Sequence, residues 1–534
     1  MKLSKYTIAS ISLLLGAFFL FFFRIGYHSF WGDELQSAEM VAHLTQTEIW
    51  NPSNPNRTEQ HSEHGFLAPY YSAAKIWCSV FGSSEAGLRS LSAACSVLAL
   101  AMILAMGPSL WGLGHRASLV AGMLFALSPM MLWYAQEARY YAFLQPLALL
   151  SCWLYLKFWR SGRSGWLAGW CAIAILSIMS HPFMIFVIVA QSCYGLWLWR
   201  KDHFRHGSCV VIGHGIVAAG FLIMLKPLII SNQKVVANES YSKVTDELMP
   251  WKALSNFLCG VYEHPHAFLA LLLVVTATAA LVLHVREVLG RISHQSFAAS
   301  GDAAYNPPDV GRVPAHGETG PAVVGAKKNG DAMLWIVASL GACVLMIMVS
   351  IYRPIMVEGK KYVMVFFAPF CVCLGSALTR LRHEGAKARP SLPRLLPALF
   401  LCVMTLNSVM TDWKYFTEPQ KQNWRLAGQI IRQHSRAGDV WLHQGMWRAF
   451  ASEYYGGGTS RVAKDVVWNP PELKDPLPSA LQNAKRVWLV KTGGIADAYG
   501  ARLEEAGFRR TGEQALPSGT HFMTHLWLYE KAMP

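Results

Sequence analysis

Charged residues are scarce in this sequence: Asp, Glu, Lys and Arg make up 15% of the 534 residues, whereas hydrophobic residues make up 53%. Soluble globular domains carry about 25% charged residues. The shortage of charge therefore excludes an ordinary soluble protein of this length. Together with a mean hydropathy of +0.27, it indicates a polytopic α-helical membrane protein.

The motifs of nucleotide-dependent enzymes are also missing. The sequence contains no Asp-x-Asp pair, no G-x-x-x-x-G-K-[ST] loop and no strand-linked G-x-G-x-x-G. An Asp-x-Asp pair is the usual carboxylate arrangement for a metal-bound diphosphate, and the glycine-rich loops cradle phosphate groups with backbone amides. These absences argue against a nucleotide sugar as the donor in any transfer reaction.

Cysteine is absent after Cys402, although the whole chain has eleven cysteines. Most of the others lie within apolar runs, where cysteine behaves as a small apolar packing residue. The polar C-terminal part of the chain must therefore be stable without disulfide bridges in either redox compartment.

The formal net charge is +15, which on its own is typical of nucleic-acid-binding proteins. The basic residues collect at the ends of apolar segments, however, and no basic patch or nucleic-acid-binding motif accompanies them. Cytoplasmic loops of membrane proteins accumulate Lys and Arg. The charge is thus explained by membrane topology, and no nucleic-acid partner is expected.

Apolar runs long enough to cross a membrane predict about eleven transmembrane helices. They lie at residues 6–24, 86–107, 116–133, 140–159, 166–180, 183–199, 209–230, 266–285, 332–351, 362–379 and 394–411. Lys2 and Lys5 precede the first run without a cleavage site after it, which predicts a retained span and a cytoplasmic N-terminus. If Phe66–Gly82 is a membrane-surface segment and not a span, every second loop is basic, as expected of cytoplasmic loops. The odd number of spans then places residues 412–534 outside the cytoplasm.

This topology predicts four regions. Residues 1–411 form the membrane module, in which 27–85 are a first periplasmic loop with membrane-surface helices. Residues 287–331 lack helical or strand periodicity and are predicted to be a disordered cytoplasmic linker. Residues 412–534 combine helical patterns, "QNWRLAGQIIRQHS" and "ADAYGARLEEAG", with strand-like runs, "DVWLH", "RVWLV" and "FMTHLWLYE", which predicts a small periplasmic α/β domain.

Polar residues near the membrane converge on the outer face in this topology. They are Asp33, Glu34, Glu63, His64, Gln136, Glu137, Arg139, His181, Lys360 and Lys361. Each also has a structural explanation: the acidic pair suits a helix N-terminus, His181 a helix end, and the lysines snorkelling to the interface. Charges beside hydrocarbon cost several kcal/mol unless they are paired or face a wet cavity, so their convergence on one side predicts a site.

Several of these stretches together resemble a known family. A first outer loop opening with "GDE", then "EHG…PYY", "LSPMMLWYAQEARYYA" and "RPIMVEGKKYVMVFFAPF", are similar to the GT-C membrane glycosyltransferases. The match is to the bacterial branch related to protein O-mannosyltransferases and lipid A aminoarabinose transferases. It departs from that pattern at His64-Gly65-Phe66-Leu67-Ala68-Pro69, where the family often has His-Pro-Pro.

The resemblance implies a transferase that moves a sugar from a polyprenyl-phosphate donor to an acceptor at the periplasmic face, with inversion at the anomeric carbon. It implies that Asp33 is the catalytic carboxylate, with Glu34 as its neighbour. It also implies that Arg139 and Lys361 face the donor phosphate.

Elementary chemistry agrees with this assignment. A carboxylate such as Asp33 can accept the proton that an attacking hydroxyl loses. Cationic side chains stabilise the charge that develops on a departing phosphate, which favours Arg139 with Lys360, Lys361 and Tyr140 as the phosphate site. Glu137 is expected to orient Arg139.

A divalent metal is possible but no cofactor is certain. Glu63, His64 and His181 are the candidate ligands, because His and carboxylate are typical zinc ligands. They come from separate loops, so their spacing does not identify a site.

The partners expected are the polyprenyl-phosphate-linked sugar, membrane lipids, and an envelope lipid, glycan or protein acceptor in the bacterial inner membrane. Among enzymes, an oligosaccharide ligase or polymerase that uses a lipid-diphosphate donor also stays open. Two functions of other classes stay open as well. A multi-spanning lipid or sugar transporter, or flippase, also needs polar groups within a bundle, although matching halves with broken helices are not evident. A non-catalytic assembly protein would use "SEYYGGG", ending at Gly456–Gly458, as a binding loop.

Overall fold

The structure, a computed structural model, describes most of the chain. The described residues are 3–51, 67–110, 113–201, 207–238, 250–259, 267–302, 332–352, 363–384, 392–444, 446–456, 463–468, 477–492, 495–519 and 523–531.

Helices account for the described structure up to residue 417. They are α1 (Lys5–Phe22), α2 (Gly32–His43), α3 (Gln46–Trp50), α4 (Ala68–Phe81), α5 (Glu85–Leu110), α6 (His115–Leu127), α7 (Pro129–Ala135), α8 (Tyr141–Ser161), α9 (Ser164–Ser180), α10 (Met184–Lys201), α11 (Gly207–Asn238), α12 (Pro250–Cys259), α13 (Ala267–Asp302), α14 (Ala342–Tyr352), α15 (Phe367–Glu384) and α16 (Leu392–Thr417). A π-helical turn, Val337–Gly341, precedes α14, and a 3-10 turn, Val363–Phe366, precedes α15.

The chain is a polytopic helical membrane protein by the length and composition of these helices. Within the described residues, five stretches can each cross a bilayer: Lys5–Phe22, Glu85–Pro108, Tyr141–Ser161, Gly207–Met224 and Leu269–Gly290. Shorter apolar helices are Ser164–Ser180, Met184–Arg200, Ala332–Met346 and Val363–Thr379. Within the described residues the predicted runs are almost wholly helical, and the total of eleven spans stays a prediction.

The predicted span at 116–133 consists of two helices, α6 and α7. The axes of α6 and α7 meet at 63°. Pro129 lacks an amide hydrogen and disfavours helical geometry at the preceding residue, and the Ser128 hydroxyl instead caps α7 by accepting from the Met131 amide at 3.4 Å. The bend carries the end of α7 to the polar turn that starts at Gln136.

The predicted start of the disordered linker also needs correction. Helix α13 continues to Asp302, so residues 287–302 are helical and not part of a linker. This stretch contains no proline, and its two glycines, Gly290 and Gly301, each cost only about 1 kcal/mol relative to alanine in a helix. The rest of the predicted linker, 303–331, lies outside the described residues.

Helices α2, α3 and α4 are short. Helix α4 has 14 residues and so rises about 21 Å, less than the roughly 30 Å of a bilayer core. It therefore cannot serve as a straight span, which is compatible with the surface position expected for Phe66–Gly82.

Residues after α16 form a mixed sheet with helices. The elements are α17 (Trp424–His434), β1 (Asp439–Gln444), α18 (Met446–Gly456), β2 (Ala463–Trp468), α19 (Ser479–Gln482), β3 (Arg486–Lys491), α20 (Ile495–Glu505), β4 (Phe508–Leu516) and β5 (Thr524–Lys531). The strand order is β2-β1-β3-β5-β4. β1 is parallel to β2 and β3, whereas β5 is antiparallel to β3 and β4.

One hydrophobic core lies under this sheet, formed by Val440, Leu442, Val487, Leu489, Tyr499, Leu503 and their neighbours. The sequence patterns predicted α17, β1, β3, α20 and β5 but not β2, β4 or α18. Ser452–Gly456 belongs to α18, so these residues are helical rather than part of a loop. Helix α18 packs against α2, which joins the C-terminal unit to the helices that follow α1.

Candidate active site

Asp33 lies in the first turn of α2, where the exposed amides of a helix N-terminus favour a carboxylate. Its side chain keeps 27% of its surface exposed, although Trp31 and Glu34 on either side of Gly32–Asp33 are buried. The carboxylate of Asp33 is thus held in a fixed place and still reachable, which is what a base needs.

Arg139 approaches Asp33 from the turn between α7 and α8. Its Nη2 lies 3.9 Å from Asp33 Oδ2, and its Nη1 donates to the Asp33 carbonyl at 3.2 Å, to Gln36 Oε1 at 3.0 Å and to the Tyr71 hydroxyl at 3.4 Å. Arg139 is 6% exposed. Its Nε is buried and has no hydrogen-bond partner among the described residues.

Glu34 points away from Asp33 into a fully buried ion cluster. Arg89 Nε and Nη2 donate to its two oxygens, each at 2.7 Å, and Lys421 Nζ donates to Oε2 at 3.3 Å. The Ala138 amide donates to Oε1 at 2.8 Å and the Trp31 amide to Oε2 at 3.3 Å. One carboxylate therefore joins the start of α2, the turn before Arg139, helix α5 and the segment after α16.

The charges of this cluster set its protonation. Burial opposes ionisation of Glu34, but Arg89 and Lys421 more than compensate and lower the pKa of the Glu34 carboxyl to about 2. Burial lowers the pKa of Lys421 to about 8, although Glu34 favours its charged form. Burial, with Lys421 and Arg89 beside it, also holds the pKa of His28 well below its ordinary value.

The turn Gln136–Tyr140 is tied to the end of α1. Gln136 Nε2 donates to the carbonyls of Phe21 at 3.1 Å and Phe23 at 2.9 Å, which satisfies acceptors that a helix end leaves without partners. Glu137 Oε2 accepts from Trp133 Nε1 at 2.8 Å. The side chain of Glu137 thus fixes the turn through α7, and its backbone carbonyl accepts from the Arg139 amide at 2.8 Å.

Aromatic rings line the side of the site next to Arg139. The Arg139 guanidinium lies 5.0 Å from the Tyr140 ring centre, a cation–π distance. Tyr140 packs against Tyr141 at 4.4 Å, His181 at 4.7 Å and Tyr70 at 6.2 Å between ring centres. His181 is 5% exposed and its Nδ1 accepts from the Phe183 amide at 3.2 Å.

The structure therefore brings Asp33, Glu34, Glu137 and Arg139 together at one place, with Tyr140 and His181 beside them. Glu63, His64, Lys360 and Lys361 lie outside the described residues. No group of three or more His, Cys, Asp or Glu side chains that could hold a metal occurs in the described part of the chain. We assign no chemical step to a metal ion.

Sequence reasoning missed Arg89, Lys421, Gln36 and Tyr71. Arg89 had a usable signal, because an arginine at the start of a long apolar helix needs a partner. Lys421 had none, since it is 387 residues from Glu34 and lies in a polar segment where a lysine is ordinary.

Comparisons with known proteins bear on the membrane module. Residues 63–230 match the family model described as dolichyl-phosphate-mannose-protein mannosyltransferase. The resemblance to these membrane glycosyltransferases expected from the motifs is confirmed over that segment, which includes Arg89, Glu137, Arg139 and His181 but neither Asp33 nor Lys421. None of the curated proteins matches the sequence.

Two crystal structures of ArnT from Cupriavidus metallidurans align with nearly the whole chain at 12% identity, each covering 98% of this chain and 97% of the other. The structure bound to undecaprenyl phosphate has a TM-score of 0.46, and the structure in the apo state has a TM-score of 0.48. Neither likeness assigns a role to a residue of this chain.

Proposed function

We propose that this protein is a polyprenyl-phosphate-sugar-dependent glycosyltransferase of the bacterial inner membrane. It transfers a sugar to an envelope lipid, glycan or protein acceptor at the periplasmic face. The observation that carries the proposal is the juxtaposition of Asp33, a partly exposed carboxylate, with Arg139, a buried guanidinium whose Nη2 lies 3.9 Å from Asp33 Oδ2. Transfer of a sugar from a phosphate requires a base for the acceptor hydroxyl and a cation for the leaving phosphate, and this pair supplies both.

Asp33 acts as the general base in this reaction. The acceptor hydroxyl attacks the anomeric carbon and its proton passes to the Asp33 carboxylate as the new C–O bond forms. The bond from the anomeric carbon to the phosphate oxygen breaks, and that oxygen leaves with the electron pair. Attack opposite the leaving phosphate inverts the anomeric carbon.

Arg139 stabilises the departing phosphate. A preorganised, buried cation interacts more strongly with the dianion that leaves than with the phosphodiester that enters, so it lowers the barrier of the chemical step. The hydrogen bonds of its Nη1 to Asp33, Gln36 and Tyr71 hold the guanidinium in place, and its face packs against the Tyr140 ring. Lys360 and Lys361 are proposed as further cations at the same phosphate.

Glu34 has a positioning role in this proposal rather than a direct one. Its carboxylate is wholly buried and receives five hydrogen bonds from Arg89, Lys421, Ala138 and Trp31. It therefore fixes the helix start that bears Asp33. Glu137 supports the neighbouring turn, and Glu63, His64 and His181 stay as candidate ligands for a divalent metal.

The membrane orientation belongs to the same proposal. The N-terminus is cytoplasmic, and the sheet unit after α16 lies in the periplasm beside the site. The packing of α18 on α2 supports this, because the first outer loop and the C-terminal unit must then be on one side of the bilayer.

The experiment that tests the function compares envelope lipids and glycans by mass spectrometry in three strains. One has the gene, one lacks it, and one lacks it but expresses the wild-type protein from a plasmid. We expect a mass increment equal to one sugar residue that disappears with the gene and returns with the plasmid. Identical spectra in all three strains would contradict a transferase, and uptake of a lipid or sugar by vesicles containing the purified protein would support the transporter alternative.

A further inference from the structure

Lys421 comes from the C-terminal part of the chain, yet it lies inside the catalytic region. It belongs to the short segment between α16 and α17, and it is 1% exposed. Its Nζ donates to Glu34 Oε2 at 3.3 Å and to the Gln136 carbonyl at 3.1 Å, and it lies 5.3 Å from the centre of the Trp133 ring. Removing one partner of such a buried pair is strongly destabilising, because the other charge is left buried and uncompensated.

These two acceptors connect Lys421 to both proposed catalytic groups. Glu34 follows Asp33 directly in α2, and Gln136 opens the turn that ends with Arg139. The same turn donates back to Glu34 through the Ala138 amide. Lys421, Glu34 and the turn that starts at Gln136 thus form a closed ring of hydrogen bonds. A shift of either Asp33 or Arg139 must break one of these bonds to a charged group.

We infer that Lys421 is a positioning residue that holds Asp33 and Arg139 in register, and that the segment after α16 is thereby part of the catalytic unit. This inference rests on the proposed function. Displacing a reacting group by about 1 Å can reduce turnover by roughly a hundredfold. The effect expected from loss of Lys421 is therefore on transfer and donor binding.

Arg425 lies in the first turn of α17, four residues after Lys421, and touches neither of the two catalytic groups. It donates to the carbonyls of Gly26 at 2.9 Å, Tyr27 at 3.1 Å and His28 at 3.4 Å, and to Glu85 Oε1 at 2.6 Å. Its side chain is 36% exposed. Arg425 thus offers a control close to Lys421 in the chain, because its loss weakens the attachment of α17 but leaves the ring around Glu34 complete.

Loss of the Lys421 charge leaves Glu34 with most of its partners. Both Arg89 donors and two backbone amides remain, and methionine has a volume close to that of lysine. Lys421→Met is therefore expected to fold. If Lys421→Met is not recovered from membranes, Lys421→Gln is tested in its place. Glutamine keeps an amide donor without the charge, and the same losses of yield and affinity are expected.

The test uses the full-length protein purified in detergent, with undecaprenyl phosphate as the binding probe, and mass spectrometry of envelope products in the complemented deletion strain. We expect Lys421→Met to lower both product yield per protein and affinity for the probe by tenfold or more. Lys421→Arg should restore most of both, and Arg425→Met should leave both within about twofold of the wild type.

A double variant separates positioning from general damage. If Lys421 acts through the turn, Lys421→Met should weaken probe binding far less when Arg139→Ala is already present, because residues that act through one another are not additive. Additive losses, or a Lys421→Met variant with wild-type yield and affinity, would overturn the inference. Failure of the wild-type protein itself to bind undecaprenyl phosphate would instead count against the proposed function.

Discussion

Replacing Glu34 with glutamine should destabilise the folded protein strongly, although it changes only one oxygen to an NH2 group. The glutamine can accept from one donor of Arg89, but its own NH2 group then faces the second donor or the Lys421 ammonium. Two buried cations lose their shared counter-charge. Removing one partner from a buried ion pair costs about 3–5 kcal/mol.

The pKa of Glu34 gives a second, separate value for the stability that is lost in Glu34→Gln. A carboxyl whose pKa falls from its ordinary 4.5 to about 2 on folding contributes about 3 kcal/mol to stability at neutral pH. Because the folded-state pKa is the lower one, this contribution is complete above pH 4.5 and is lost as the pH falls through 2. Both routes predict a loss of roughly 3–5 kcal/mol for Glu34→Gln at pH 7.

The assay is equilibrium unfolding of the purified protein in mixed micelles, with Glu453→Gln as the control. Glu453 forms an exposed pair with His43 at 3.1 Å, and exposed pairs contribute about 0–1 kcal/mol. Adding Lys421→Met to Glu34→Gln should recover part of the loss, since one uncompensated cation is removed. The reasoning is refuted if Glu34→Gln unfolds within about 1 kcal/mol of the wild type.

Three further predictions follow from the site and its orientation. Arg139→Ala should weaken binding of undecaprenyl phosphate about tenfold to a hundredfold in a fluorescence titration, because hydrogen bonds to charged groups contribute about 1.5–3 kcal/mol. The control is Arg163→Gln, since Arg163 is exposed beyond the opposite end of α8 and its replacement should leave binding normal. Equal affinities of Arg139→Ala and the wild type would contradict the phosphate role. Turnover should fall as the pH rises through about 8, the pKa of Lys421 beside Glu34, Arg89, Glu137 and His28, and Lys421→Arg should remove this decline. The pKa of a lysine in the unfolded chain is 10.5, so the free energy of unfolding rises between pH 8 and 10.5 as far as this group is concerned. A loss of folded protein in parallel with the loss of turnover would therefore count against the explanation. If the C-terminal unit is periplasmic, alkaline phosphatase fused after Pro534 should be active and a fluorescent protein fused at the same position should be dark. The reverse pattern would place the C-terminal unit in the cytoplasm.

The apolar runs and the grouping of Asp33 with Arg139 could be predicted because each depends on local composition. Long apolar runs without the alternation of a barrel strand favour transmembrane helices, and the described parts of the predicted runs are almost wholly helical. The basic residues of alternate loops led to the expectation that Asp33 and Arg139 share one side of the membrane, and the structure brings the two side chains within 3.9 Å of each other. The bend at Pro129 was also within reach of the sequence, since proline and the residue before it resist helical geometry.

The remaining features depend on long-range contacts that leave no local pattern. Glu34 is adjacent to Asp33 in sequence, but the helix start turns its side chain toward Arg89 and Lys421, so adjacency suggested a shared role that the geometry does not support. Strand β4, Phe508–Leu516, exposes most of its length at the edge of the sheet and therefore lacks the apolar alternation by which strands are recognised. Strand β2 becomes evident only through its parallel pairing with β1.

The most direct test of the central claim compares Asp33→Asn with the wild type in product formation and probe binding. Asparagine keeps the size of the side chain but cannot accept the proton of an attacking hydroxyl. We predict that the sugar-modified envelope product disappears from the mass spectrum of the complemented strain, whereas the purified variant still binds undecaprenyl phosphate. A variant that yields near-normal product would contradict the account, because Asp33 would then not be the base.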